Sequence, residues 1–217
     1  MRKIAALTIY NGELWYSPKY KKSAYLGDPI NNCKLLSDMC VEEIVIYVLG
    51  DKNEEVLKKL PLVAIVPISI CGGITELSQA EQYITSGYDR VGYSFSFRKT
   101  KNQDLLSATL DKFGGSSVFL HYSYFNSEVG IAADWVNQFD CNVSEIILSN
   151  IDQTGQSTGL DQRILPMIKN EEVNICLSGG YKGEDVELCN TQLTSIAYTT
   201  HWAFQGQGNT GNILTYV

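Results

Sequence analysis

The chain of 217 residues is poor in the features that mark several classes of protein. It has 17 Lys and Arg against 24 Asp and Glu, a formal net charge of −7, and no basic cluster with interleaved aromatics. We therefore expect no binding to nucleic acid or to an anionic membrane surface. No apolar run approaches the length of a membrane span, and the first residues lack the pattern of a signal peptide. These absences predict a cytoplasmic protein.

Metal and cofactor signatures are also missing. The six cysteines form no CxxC pair, and only two histidines are available to join them. Tyrosines are scattered and mark no cofactor site. We expect buried, reduced thiols, with no metal and no cofactor.

What the sequence does contain is a regular series of short apolar, β-branched runs, most of them separated by helical patterns. One helix is predicted to begin after Asp28 as N-cap, and another after Thr75. Eight strands alternating with helices favour a lean (β/α)₈ TIM barrel, in one domain over 1–217. The alternative, an open doubly wound sheet, rarely has eight strands with this repeat. The predicted strands lie near 4–9, 43–49, 63–71, 90–94, 117–122, 145–149, 173–178 and 194–199.

Two of these runs are near copies of each other. "VPISICGG" ends at Gly73 and "VNICLSGG" ends at Gly180, and each Gly pair closes a predicted strand. Glu43 and Glu145 likewise open two equivalent strands. A repeat of this length predicts two half-barrels, about 1–113 and 114–217.

A Gly pair at the carboxyl end of a strand lets the backbone approach a ligand, and its N–H groups can cradle a phosphate. Two such sites, at Gly72–Gly73 and at Gly179–Gly180, would suit a ligand with a phosphate at each end. The alternative is that both pairs are only tight turns.

At these residues the sequence resembles a known family. "PISICGGI", "AEQYITSGYDRVGYS", "EIILSNIDQTGQSTGLD" and "VNICLSGG" are similar to the cyclase subunit of imidazole glycerol phosphate synthase. That family consists of (β/α)₈ enzymes of histidine biosynthesis that use ammonia from a glutaminase partner. The resemblance covers almost the whole chain, and "TGLD" after "IDQTG" favours the cyclase over the isomerase of the preceding step.

Other segments resemble a particular branch of that family. "NGELWYSPKYKKSAYLGDPINNCKLL" and "FQGQGNTGNILTY" are closer to the cyclase-like paralogue found with surface-polysaccharide genes. There, a glutaminase-like and a cyclase-like subunit are thought to supply ammonia to a sugar amidotransferase. The resemblance thus implies a glutaminase-like partner, a sugar N-amidotransferase as a further partner, and a phosphorylated small molecule as ligand.

The sequence departs from the family at its catalytic positions. The two family aspartates, at the ends of the first and fifth barrel strands, fall on Thr8 and Ser123. Neither hydroxyl can act as a carboxylate acid or base at neutral pH. The loops after the second and fifth strands are short, so we expect no catalytic residue and an open top of the barrel.

The resemblance also implies ligand and partner positions. Four charged residues, Arg2, Glu43, Arg90 and Glu145, match a ring that gates ammonia entry at the amino-terminal mouth, and Asp89 matches a residue that contacts the glutaminase. A purely structural ring of salt bridges is the alternative. The implied phosphate-binding positions are Gly72, Gly73, Ser94, Ser149, Gly155, Gly179, Gly180, Thr200 and His201.

Three functions remain open from the sequence. The first is an ammonia-channelling, cyclase-like subunit for acetamidino-sugar or lipopolysaccharide biosynthesis. The second is a genuine lyase-type cyclase of histidine biosynthesis, and the third is an inactive phosphate-binding barrel that serves as a scaffold. Whether the chain is itself an enzyme is left open by the loss of the aspartate pair.

Overall fold

The structure is a computed structural model that describes residues 1–95, 103–140, 142–183, 185 and 193–199. Its helices are α1 (Pro29–Asp38), α2 (Glu54–Val63), α3 (Leu77–Thr85), α4 (Gln103–Phe113) and α5 (Val129–Asn137). Its strands are β1 (Arg2–Tyr10), β2 (Glu13–Tyr16), β3 (Ala24–Gly27), β4 (Glu43–Leu49), β5 (Ile68–Cys71), β6 (Arg90–Phe95), β7 (Val118–Tyr124), β8 (Glu145–Asn150), β9 (Ile175–Ser178) and β10 (Leu193–Thr199).

Eight parallel strands close into a barrel. The order is β1-β4-β5-β6-β7-β8-β9-β10, and β10 returns to pair with β1. Pairing at the seam runs from Arg2 opposite Ser195 to Ala6 opposite Thr199. The predicted (β/α)₈ barrel is confirmed, and closure leaves no exposed edge among these eight strands.

Local signals agree with the start of α1 but not with the end of α2 or the start of α3. Asp28 caps α1 by accepting the backbone N–H of Asn31 at 2.8 Å, as its position before a proline predicts. The predicted Thr75 cap is wrong, because Glu76 is the N-cap of α3 and the Thr75 N–H instead binds the side chain of Gln79. The strand predicted from residue 63 begins only at Ile68, since α2 continues to Val63.

A β-hairpin after β1 was missed from the sequence. β2 pairs antiparallel with the end of β1, and β3 pairs with β2. Asn11 and Gly12 form the connecting loop, with φ of +52° and +87°. Both values suit the two-residue turn that Asn-Gly favours, so this dipeptide was an available signal. Residues 11–27, which include β2 and β3, are called the strap below.

The barrel interior is a packed lumen distinct from the core between strands and helices. Side chains alternate between the two along each strand, so Ile4 and Ala6 face the lumen while Ala5 and Leu7 pack outward. The buried hydrophobic residues that form one cluster in the lumen are Ile4, Ala6, Val45, Tyr47, Cys71, Phe119, Ile147, Cys176 and Ala197.

The two Gly pairs occupy equivalent places, directly after the carboxyl ends of β5 and β9. A Cβ on Gly72 would clash with the Val48 carbonyl of the preceding strand, and a Cβ on Gly179 would clash with the Asn150 carbonyl. Both glycines have positive φ, +114° and +88°. Close backbone approach therefore explains the first glycine of each pair without any ligand.

Gly92 on β6 makes room for an aromatic ring in the lumen. A Cβ at this position would clash with the ring of Phe119 on the neighbouring β7. We expect Gly92→Ala to lower the free energy of unfolding by about 1–3 kcal/mol, because overpacking a close-packed interior displaces neighbours. Urea unfolding measures the loss, and adding Phe119→Leu should recover part of it. Additive effects of the two substitutions would contradict this packing account.

Candidate functional site

Four charged side chains close a ring at the amino-terminal mouth of the barrel. Each is the first residue of its strand: Arg2 of β1, Glu43 of β4, Arg90 of β6 and Glu145 of β8. Arg2 contacts Glu43 at 3.1 Å and Glu145 at 2.7 Å, and Arg90 pairs with Glu43 and, at 3.4 Å, with Glu145. Positive and negative groups alternate around the ring, so every charge has two opposite neighbours.

Hydroxyl groups from other strands complete the hydrogen bonds of the ring. Ser69 donates to Glu43 at 2.7 Å, and Ser195 donates to Glu145. Both glutamates are 1% exposed. Burial favours the neutral form of Arg90, but the two carboxylates outweigh it and raise its pKa. The ring is thus a closed, fully paired layer across the base of the lumen.

Asp89 lies on the same rim as the ring. It is exposed, and one carboxylate oxygen accepts the backbone N–H of Ile68 at 2.8 Å. Its own N–H donates to the Ile68 carbonyl at 2.8 Å. Asp89 therefore joins the starts of β5 and β6. Its carboxylate is exposed and places a negative charge at this end of the barrel.

Above the ring the packed lumen is largely apolar. The Phe119 ring lies 5.2 Å from the guanidinium carbon of Arg90. Higher up, Tyr47 is 6% exposed, and its hydroxyl forms no hydrogen bond with any residue in the described ranges. His121 packs against Tyr47 with 4.8 Å between ring centres, and its burial lowers its pKa to about 4. At neutral pH His121 is therefore uncharged and adds no positive charge to the lumen above the ring.

The strap covers the opposite, carboxyl-end mouth. The Tyr20 hydroxyl lies 2.7 Å from the Ser149 Oγ and 3.1 Å from His121 Nε2. The Tyr16 hydroxyl donates to the Gly155 carbonyl at 2.6 Å, and the Lys19 N–H donates to the Thr154 carbonyl at 3.2 Å. The expected open top is wrong, because the connection from β1 to α1 folds across it.

Thr8 and Ser123, the positions expected from the resemblance to match the family aspartates, lie beneath this cover. Thr8 follows Ala6 on the lumen side of β1, and Ser123 follows His121 on β7, by the alternation of strand side chains. Ser123 is the register partner of Ser149, which binds the Tyr20 hydroxyl. Neither position supplies a carboxylate.

A buried carboxylate does stand near the top, in a paired state. Asp161 is 4% exposed and accepts bonds from Arg163 Nε at 2.7 Å and from Asn150 at 2.8 Å. Burial alone would raise the pKa of Asp161, but these partners outweigh it and lower the pKa. At neutral pH Asp161 is therefore ionised and paired with Arg163, so it has no proton to donate to a substrate.

The predicted phosphate positions of the first half are accessible. Gly73 and Ser94 are exposed, and a Cβ on Gly73 would lie 2.6 Å from the Cε of Lys52. Lys52 was missed in the sequence analysis, because it lies after β4 and reaches Gly73 only in the folded barrel. A cation beside this turn could contribute to anion binding.

The second-half positions are occupied by the chain itself. The Gly180 carbonyl accepts the Gly159 N–H at 2.7 Å, and the Gly179–Gly180 pair is buried against the loop after β8. Ser149 is bound to Tyr20, and Gly155 to Tyr16. The remaining two predicted positions, Thr200 and His201, lie outside the described residues.

The described ranges lack two features that would indicate other functions. They contain no helix long and apolar enough to cross a lipid bilayer. The same ranges hold no group of three His, Cys, Asp or Glu side chains that could bind a metal ion.

Comparison with known proteins identifies relatives of the whole barrel. Residues 3–199 match the family described as histidine biosynthesis protein. The chain is 26% identical over 234 residues to hisF2 of Pseudomonas aeruginosa, provisionally named an imidazole glycerol phosphate synthase subunit, and the match covers 95% of this chain and 92% of that protein. It is 23% identical over 203 residues to the imidazole glycerol phosphate synthase subunit HisF of Lactococcus lactis, with 82% and 78% covered. The HisF subunit of Alkaliphilus metalliredigens is 26% identical, with 82% and 79% covered.

The two arginines of the ring should contribute unequally to stability. Arg90→Ala leaves two buried glutamates with only Arg2, whose side chain is 39% exposed, so we expect a loss of about 3–5 kcal/mol. Arg2→Ala keeps Arg90 between the same glutamates, and solvent screens the lost charge, so we expect a loss of about 1 kcal/mol. Chemical unfolding of both variants compares them. Equal losses would show that burial does not decide the contribution.

His121 should make the free energy of unfolding fall as the pH is lowered below neutrality. Its pKa of about 4 in the fold lies below the ordinary value of 6.5, so the unfolded chain takes up the proton first. Its contribution is therefore complete above pH 6.5 and is lost as the pH falls toward 4. We expect wild type to lose up to about 1.4 kcal/mol per pH unit more than His121→Gln across this window, by urea unfolding. Parallel pH profiles would contradict this.

Proposed function

Since this chain belongs to the histidine biosynthesis protein family, we propose that it is a HisF-like, cyclase-like subunit that docks a glutaminase and channels its ammonia. Ammonia enters at the ring of four charges and passes along the barrel lumen. The observation that carries this proposal is the closed, buried ring of Arg2, Glu43, Arg90 and Glu145 at the base of an apolar lumen.

The chemistry of the lumen suits neutral ammonia. Moving a charge into apolar surroundings is costly, whereas a small neutral molecule pays only for the hydrogen bonds that it loses. Ile4, Val45, Ile147 and Ala197 wall the passage. The carboxylates and guanidinium groups at the base of the lumen are already paired with each other. A neutral molecule could therefore pass them into the lumen, whereas an ion would lose its solvation in the apolar surroundings.

Features of the amino-terminal rim support a docking role. Asp89 keeps an exposed carboxylate beside the ring. Leu62 and Ile65, near the end of α2, are 77% and 78% exposed. Ile65 lies three residues before β5, so this apolar pair is on the same end of the barrel as the ring. Apolar side chains with a charge at the margin are common in protein interfaces.

The carboxyl end of the barrel supports delivery of ammonia in preference to imidazole closure. Thr8 and Ser123 replace the aspartate pair, Asp161 is held by Arg163, and the strap covers the space between them. The strap lies in the segment that resembles the surface-polysaccharide paralogue. We therefore assign the ammonia to a sugar N-amidotransferase, in acetamidino-sugar or lipopolysaccharide biosynthesis, acting in the cytoplasm.

Two alternatives keep specific support. A genuine histidine-pathway cyclase agrees with the names of the relatives, but needs an acid–base pair other than Thr8 and Ser123. A phosphate-binding scaffold agrees with Lys52 beside Gly73. Complex formation with coupled glutamine hydrolysis separates the proposed subunit from the scaffold.

The charge of Asp89 should matter for docking apart from its structural bond. Asp89→Asn keeps an oxygen that can accept the Ile68 N–H but removes the charge, whereas Asp89→Ala loses both. We expect Asp89→Asn to bind a glutaminase-like protein about tenfold more weakly than wild type, with little change in melting temperature. Isothermal titration calorimetry measures the affinity.

The same calorimetric titration tests whether the exposed apolar pair at the end of α2 contacts the partner. Ile65→Ser should weaken the complex, while Ile131→Ser, an exposed isoleucine on α5, should leave it unchanged. Failure of the wild-type chain to form a complex or to stimulate glutamine hydrolysis at micromolar concentrations would defeat the channelling proposal.

A further inference from the structure

We propose that Tyr20 is the exit gate of the lumen and closes it over a binding position for one ammonia molecule at the Tyr47 hydroxyl. The identity of the ligand rests on the proposed function. The closure itself rests on the contacts of the strap. The gate is therefore testable even if no glutaminase binds.

Tyr20 closes the mouth through a specific set of bonds. Its hydroxyl can donate to one and accept from the other of Ser149 Oγ and His121 Nε2, which lie on two adjacent strands, β8 and β7. Its ring meets the His121 ring edge-on, with 6.0 Å between centres. Burial raises the pKa of Tyr20 to about 12, so the hydroxyl keeps its proton. One side chain thus bridges the lumen wall at its carboxyl end.

The strap holds Tyr20 in a conformation that the local sequence disfavours. Lys19 and Tyr20 have φ of +53° and +57°, in the left-handed region that non-glycine residues rarely occupy. The bonds of Tyr16 to Gly155 and of Lys19 to Thr154 offset this strain. Tyr10 adds a bond from its hydroxyl to the Tyr20 carbonyl. Closure therefore depends on a few tertiary contacts, and their release would let the strap relax.

The position beneath the gate is marked by the Tyr47 hydroxyl. This group is buried in the lumen and has no hydrogen-bond partner among the described residues. A buried polar group without a partner is unfavourable, and a small ligand that can donate and accept would relieve it. Tyr47 on β4 is level with Cys71 on β5, and its ring packs against His121, which bonds to Tyr20. It therefore lies between the ring of charges and Tyr20, on the route that ammonia would take.

The first test measures access to the lumen from above. Cys71 is 1% exposed in the lumen wall, and Cys33 is fully buried outside it, between α1 and α2. The chain is treated with methyl methanethiosulfonate, and the labelling rate of each cysteine is followed by peptide mass spectrometry. We expect Tyr20→Ala to raise the Cys71 rate at least about tenfold and leave the Cys33 rate unchanged.

The matched control is Tyr25→Ala, which removes an exposed tyrosine from β3 of the same strap. It should leave Cys71 as protected as in wild type. Equal Cys71 rates in the two variants would overturn the gate. A parallel rise at Cys33 and Cys71 in Tyr20→Ala would also overturn it, because global opening would then account for the labelling.

The second test probes the binding position with ammonia alone. At pH 9, ammonium chloride should raise the melting temperature of wild type above that in sodium chloride of equal ionic strength, because a ligand of the folded state stabilises it. Tyr47→Phe should show no such difference, while its own melting temperature without ammonia should not fall, since the lost hydroxyl had no partner. No ammonia effect on wild type, or an equal effect on Tyr47→Phe, would overturn the position. Neither test needs a partner, so failure to bind a glutaminase leaves both readouts intact.

Discussion

The requirement that two buried glutamates be neutralised organises the base of this barrel. Glu43 and Glu145 begin β4 and β8 and are almost completely buried. A buried carboxylate must be paired or lose its charge. Arg2 and Arg90 meet this requirement only because barrel closure brings β1, β4, β6 and β8 to one mouth in register. The ring, the closure of β10 onto β1 and the serine hydroxyls that bond to the glutamates therefore depend on one another.

The two mouths of the lumen are closed by different physical means. Charges close the amino-terminal mouth, where Arg2 remains partly in solvent. A neutral hydroxyl closes the carboxyl-end mouth, where Tyr20 binds Ser149 and His121. Between them the wall is largely apolar, with thiols, the Tyr47 hydroxyl and the His121 imidazole among its polar groups. A passage with polar closures and an apolar interior agrees with the proposed transfer of a small neutral molecule.

The internal repeat shows how equal sequences acquire unequal surroundings. Gly72 and Gly179 have the same structural role, since each lets the backbone pass close to a carbonyl of the neighbouring strand. The turns then differ. Lys52 reaches the exposed Gly73, whereas the loop after β8 buries Gly180. Any phosphate site retained by this barrel is therefore better supported in the first half than in the part of the second half that the structure describes.

The sequence alone determined the barrel, the α1 cap at Asp28 and the four charges that begin their strands. These depend on strand alternation, local capping and a family resemblance, all readable over short distances. Only the tertiary structure decided the covered top. Tyr20 meets residues 101 and 129 positions away, Lys52 meets Gly73 from another loop, and positive φ at Lys19 runs against local preference. No local pattern encodes such contacts, because their energy appears only when the closed barrel brings the strands together.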